Sequence, residues 1–203
     1  MESPTAKSSP GQPLGRSRDL STRLLAAADL PGPNASFRWK EVETTSAQPD
    51  DLASCLSYPL TSIGAQEVRF REFAPATSVK GERDAYAATV VGQFPDRMTA
   101  RRARAVLTSM HDRCEERLAE AGRKGDVAAL ETVTETGGRA AWFLTTLPLK
   151  KSDSAVLEAT GFVKVRNRIT VVVMRHEGQD YDYATGEEPM VEALRRAGAL
   201  LRD

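Results

Sequence analysis

Between Thr99 and Ala121 the apolar residues Ala103, Val106, Leu107, Met110, Cys114 and Leu118 recur at three- and four-residue steps. Arg101, Arg102, Arg104, Asp112, Arg113, Glu115, Glu116 and Arg117 fall mostly off that line. A period near 3.6 predicts one long helix with a buried stripe. Pro95 and Asp96 break the chain before it, and Thr99 is placed to cap its first turn. Two shorter helices are expected upstream. One runs over Leu20 to Leu30, with Leu20, Leu24 and Leu25 on one face and Pro31-Gly32-Pro33 ending it; the other covers Asp50 to Ser57 and contains Cys55. A last helix opens at Pro189 with Met190, Val191, Leu194, Ala197 and Leu201 as its stripe.

The remaining apolar residues follow the strand rhythm. Phe37 and Trp39 lie in a short extended piece, and strands are predicted over Gln66 to Ala74, Asp84 to Phe94, Val127 to Thr136, Ala140 to Leu147, Ala155 to Val165 and Arg168 to Glu177. In the last, Ile169, Val171 and Val173 alternate with Thr170, Val172 and Met174, so both faces are nearly apolar, as in a central strand covered on each side. Gly137-Gly138 reads as a hairpin turn. Consecutive strands on short links pair antiparallel. The expected architecture is therefore α+β: a mostly antiparallel sheet of about six strands, with helices packed on it and one long central helix.

Composition changes this picture at the N-terminus. Residues 1–19 are rich in Ser, Pro and Gly and almost free of large apolar side chains, and are expected to be a disordered tether ahead of a single domain over 20–203. Lys plus Arg balance Asp plus Glu at 28 each, so no global field points to nucleic acid. No apolar run approaches the ~18 residues of a membrane span.

Candidate chemistry is sparse. Cys55 and Cys114 are a poor metal site by themselves. They either pair, which implies maturation outside the cytoplasm, or remain free core thiols in a cytosolic protein. If paired, the closed loop stabilises by about 4 kcal/mol on the chain-entropy argument. His111 falls at the edge of the helix stripe, and His176 ends a strand near Asp180, Tyr181, Asp182 and Tyr183. A solvated turn accounts for that loop better than a base or a metal ligand. No phosphate loop, dinucleotide fingerprint or nucleophile elbow occurs, so no catalytic residue, metal site or cofactor is assigned. Arg97, Arg101, Arg102 and Arg104 could meet phosphate or an acidic partner, although a solvated helix face with local ion pairs is the simpler reading.

The stretch Leu24-Leu25-Ala26-Ala27-Ala28-Asp29-Leu30-Pro31, followed by Trp39, Cys55, the strand ending in Phe94 and the helix carrying Cys114, resembles the PknH-like extracytoplasmic sensor domains of actinobacteria. That resemblance implies an antiparallel sheet with flanking helices, a ligand cleft and residence outside the membrane, as a lipid-anchored or secreted protein. It also favours a Cys55–Cys114 bond. The family usually carries two disulfides, whereas this chain can form one, and no kinase domain lies within it. The function expected is a sensor-like domain that binds a small molecule or cell-envelope component and not nucleic acid. The sheet face bearing Trp142 and Tyr86, near Phe143 and Phe162, is the expected site. The alternatives are a motif-less pocket enzyme using His176 or Tyr181, in which case a cytoplasmic location is open, and a structural interaction protein.

Overall fold

A computed structural model describes residues 19–34, 36–76, 85–149, 154–178 and 183–202. The expected tether over residues 1–18 and the candidate residue Tyr181 lie outside these segments. The strands are β1 (Trp39–Thr45), β2 (Glu67–Pro75), β3 (Tyr86–Gln93), β4 (Asp126–Val127), β5 (Glu131–Val133), β6 (Arg139–Pro148), β7 (Ala155–Val165) and β8 (Arg168–Gly178). They form one eight-stranded antiparallel sheet in the order β1-β2-β3-β8-β7-β6-β4, with β5 also paired to β6. The α+β class and the antiparallel pairing are those expected; the strand count is eight, not six.

The two additional strands have local causes. The extended piece at Trp39 runs on to Thr45 because it pairs with β2 as an edge strand. The strand expected over Val127 to Thr136 is split. Ala128, Ala129 and Leu130 oppose only Phe143 and Leu144 between the paired positions Val127↔Thr145 and Glu131↔Trp142. One extra residue bulges out of the ladder. Ala128 still donates its N–H to Leu144 O at 2.8 Å, while its carbonyl faces His111 Nε2 at 3.0 Å.

The long helix is likewise two helices, α1 (Arg97–Asp112) and α2 (Cys114–Glu120), separated at Arg113 with φ −107° and ψ 8°. Asp96, not Thr99, caps α1: its carboxylate accepts from the Thr99 N–H at 2.7 Å. Ala103, Leu107, Met110, Cys114 and Leu118 are buried as the period demands, but Val106 is exposed. The expected N-terminal helix is instead two 3₁₀ turns, Leu20–Arg23 and Ala27–Asp29. Asp29 turns its carboxylate back onto the Ala26 N–H at 2.9 Å, and Leu24 between the turns is extended. Asp50 to Ser57 forms turns rather than a helix, and the Ser54 N–H donates to buried Glu158 at 2.7 Å. The C-terminal helix, α3 (Pro189–Arg202), starts at the proline as expected.

The helices cover both faces of the sheet. On one face α3 and the N-terminal turns pack on Phe73, Ala87, Val91, Val163, Val172 and Met174. On the other α1 packs on Phe70, Val90, Phe162, Ile169, Val171 and Val173. The β8 alternation divides its residues between these two cores, as its doubly apolar pattern requires. Cys55 and Cys114 are bonded, with Cα atoms 5.2 Å apart, and lie in a third cluster with Leu118, Phe143 and Leu147. Arg117 donates to the Cys55 carbonyl at 2.7 Å, which ties α2 to the disulfide loop.

Candidate functional site

The candidate site is a cavity of about 270 Å³ on the α3 face of the sheet. Three strands build its floor through one alternation. Trp142 and Leu144 of β6, Leu157 and Ala159 of β7, and Met174 and His176 of β8 share a side because the registers pair Leu144 with Ala159, Ala159 with Met174 and Leu157 with His176. Met190 in the first turn of α3 closes one wall. Its approach depends on Gly161, where a Cβ would come within 2.6 Å of the Met190 sulfur.

Trp39, Pro31 and Pro33 form another wall. The Trp39 indole donates to the Pro31 carbonyl at 3.0 Å and meets Phe37 edge-on at a centroid distance of 4.6 Å, so the ring is held on two sides. Tyr183, in the approach to α3, donates its hydroxyl to the Pro33 carbonyl at 2.7 Å. A second hollow shares Pro31, Pro33, Trp39, Tyr183 and Pro189 with the first. The polar residues lining the cavity are Arg175, His176, Tyr183 and Glu188, and Glu188 accepts from the Gly186 N–H at 2.7 Å. Most of the lining is aromatic, aliphatic or thioether, with a few polar groups at fixed places: the composition of a small-molecule pocket.

The residues picked out in the sequence divide between the two faces. Trp142 and His176 line the cavity. Tyr86, Phe143 and Phe162 point the other way, since they hold alternate positions in the same ladders. The expected shared face for Trp142 and Tyr86 therefore does not exist. Tyr86 lies under the Arg175 guanidinium at 5.3 Å, and burial, reinforced by Glu72, pushes its phenol up to about 12. Phe143 packs beside the disulfide with the His111 ring 4.8 Å away, and Phe162 is fully buried. Trp39, Met174, Tyr183 and Met190 are not among the expected site residues. Counting alternate residues outward from His176 finds Met174; Tyr183 lies in the loop after His176 and Trp39 in the stretch that carries the resemblance, but only packing between elements brings them and Met190 to the cavity.

Among the described residues no group of three or more His, Cys, Asp or Glu side chains could hold a metal ion, and no helix is long and apolar enough to cross a membrane. No protein-family model matches the chain, and no curated protein matches it. Among solved structures, the fold is similar to the extracellular domain of PknH from Mycobacterium tuberculosis, with a TM-score of 0.57 over 90% of this chain and 95% of that one. The two are 10% identical in sequence. The chain thus shares the fold of that extracellular domain, carried on an almost wholly different sequence.

Proposed function

We propose that this chain is an extracytoplasmic sensor-like domain that takes a small, largely apolar molecule or envelope component into the cavity beneath α3. The observation that carries the reading is the cavity itself: about 270 Å³, walled by Trp39, Trp142, Met174 and Met190, with His176 and Tyr183 as polar contacts. An apolar cavity of ~150 Å³ accommodates one benzene ring, so this one suits a ligand of roughly two rings or a short acyl segment bearing one polar group. Burying that ligand releases water from apolar wall and ligand alike, and this is the driving term. The polar contacts set its orientation.

Two further observations support the location. The bonded cysteines suit an oxidising compartment, and the structural neighbour is an extracellular domain. Attachment to the membrane through residues 1–19 belongs to the same proposal.

The chain's only two tryptophans, Trp39 and Trp142, both line the cavity, so its intrinsic fluorescence reports on that site. A panel of aromatic and short acyl compounds with one polar group should yield members that shift the emission saturably. Trp142→Ala should weaken those members by tenfold or more, a loss of ~1.4 kcal/mol. A panel that leaves emission unchanged, or shifts that survive Trp142→Ala with equal affinity, would remove the cavity from consideration as the binding site.

A further inference from the structure

The basic cluster on the long helix is larger in three dimensions than in sequence, and among the described residues it lacks the ion pairs expected for it. Arg139 of β6 and Lys164 of β7 are directly opposite each other in the sheet register. Like charges at such a pair are destabilising. Arg97, Arg101 and Arg104 of α1 lie over the same end of the sheet, and together with Arg139 they depress the Lys164 ammonium below its ordinary range, after the larger effect of burial. The Arg104 guanidinium sits 5.9 Å above the Phe162 ring, and its Nε is buried without a hydrogen-bond partner among the described residues. Lys164 donates one N–H to the Arg166 carbonyl at 2.7 Å.

None of these five cations takes part in an ion pair among the described residues. Composition does not force this, because the chain has as many acidic as basic side chains. Of the acids of the helical segment, Asp96 adjoins Arg97 but is engaged in capping α1, while Asp112 is at the far end of α1 and Glu115, Glu116 and Glu120 are in α2. A chain with balanced charge has gathered five cations from three elements with no ion pair among the described residues.

We propose that Arg97, Arg101, Arg104, Arg139 and Lys164 form a binding site for a phosphate group. Guanidinium forks present paired N–H donors that match the phosphate oxygens, and a dianion offsets the repulsion that the cluster otherwise carries. The site is on the α1 face, whereas the apolar cavity is on the α3 face, so the proposal stands apart from the cavity reading. The phosphate can be free or can belong to a lipid headgroup, since the chemistry is shared.

The test uses the chain with its disulfide intact. Tm is measured in inorganic phosphate and in chloride at equal ionic strength, for the parent and for two variants, Arg139→Gln/Lys164→Gln and Arg97→Gln/Arg101→Gln. Co-sedimentation with phosphatidylglycerol and phosphatidylcholine vesicles is measured in parallel. Phosphate should raise the parent Tm by about 3 °C or more when present at ten times its Kd, and both variants should lose that rise. Arg139→Gln/Lys164→Gln should also melt higher than the parent in low salt, because it removes an opposed like-charge pair; this doubles as the check that it folds. Sedimentation with phosphatidylglycerol alone, lost in both variants, would assign the phosphate to a lipid. The proposal is overturned if phosphate acts no more than chloride and phosphatidylglycerol vesicles do not act either, or if the variants respond like the parent.

Discussion

Glu158 of β7 and Arg175 of β8 stand opposite each other in the sheet and form an ion pair of 3.1 Å, with the glutamate side chain fully buried. The same carboxylate accepts the Ser54 N–H at 2.7 Å, so one buried charge fastens the segment leading to Cys55 onto the sheet. Arg175→Met should cost about 2–3 kcal/mol in urea unfolding, less than the ~3–5 kcal/mol of orphaning a charge in a fully buried pair, because Arg175 is itself about one-third exposed. The double variant Glu158→Gln/Arg175→Met should be less damaging, since no uncompensated charge is left. An Arg175→Met protein as stable as the parent would mean that Ser54 alone satisfies the carboxylate.

The Cys55–Cys114 bond spans 59 residues of chain. Closing a loop of that length limits the unfolded ensemble, and replacing both cysteines by alanine should lower stability by about 4 kcal/mol. Denaturant midpoints of the oxidised and doubly substituted proteins check this. A difference under 1 kcal/mol would place the stability of this region in Arg117 and Glu158 rather than in the bond.

Gly198 and Gly161 give opposed expectations for the same substitution. Within a helix, alanine is better than glycine by about 1 kcal/mol, yet a Cβ at Gly198 of α3 would press into the Thr136 carbonyl, which is backbone and cannot swing aside. Gly198→Ala should therefore destabilise by about 2 kcal/mol despite its propensity. Gly161→Ala meets the flexible Met190 and Leu194 side chains instead, should cost less than 1 kcal/mol, and should perturb tryptophan emission as Met190 shifts in the cavity. Equal costs at the two sites would contradict this packing.

Tyr86 gives a pH signature. Its phenol stays neutral in the folded protein to about pH 12, chiefly through burial, with Glu72 adding to the shift and Arg175 opposing it. An unfolded tyrosine ionises near pH 10, so above that pH the unfolded state loses its proton first. This contribution to stability is complete below pH 10 and declines as pH rises to about 12. Absorbance titration near 295 nm should show a phenol that ionises about two pH units late, and the late component should vanish in Tyr86→Phe.

The periodic elements were legible because their signals are local. The β7 and β8 strands, α3 and the buried positions of α1 follow from apolar spacing that any neighbouring core would satisfy. The class of fold followed as well, since short links between successive strands leave only antiparallel pairing. Two elements misled for a physical reason. Leu20, Leu24 and Leu25 have helical spacing, but the chain is extended at Leu24 and Asp29 bonds back to the Ala26 N–H to cap a separate second turn, so a 3₁₀ turn and the extended link after it bury the same leucines. The strand before β6 has a good β composition, but His111 faces a carbonyl that a regular ladder would have used.

The site was legible only in part. Aromatic and histidine residues were visible in the chain, yet strand parity, which assigns each side chain to a face, separates Trp142 from Tyr86, Phe143 and Phe162. Parity could have been counted from the sequence. What could not be counted is that Trp39, Tyr183 and Met190, from the first strand, a late loop and the last helix, converge on Trp142 and His176. The same limit held for charge: Arg97, Arg101 and Arg104 were a local run, while Arg139 and Lys164 joined them only through register and helix placement. The sequence by itself determined most of the regular elements, the class of fold and part of the floor of the site. Tertiary structure decided which residues meet, because contacts between elements far apart in the chain depend on register and packing direction, and neither is encoded in the spacing of any single segment.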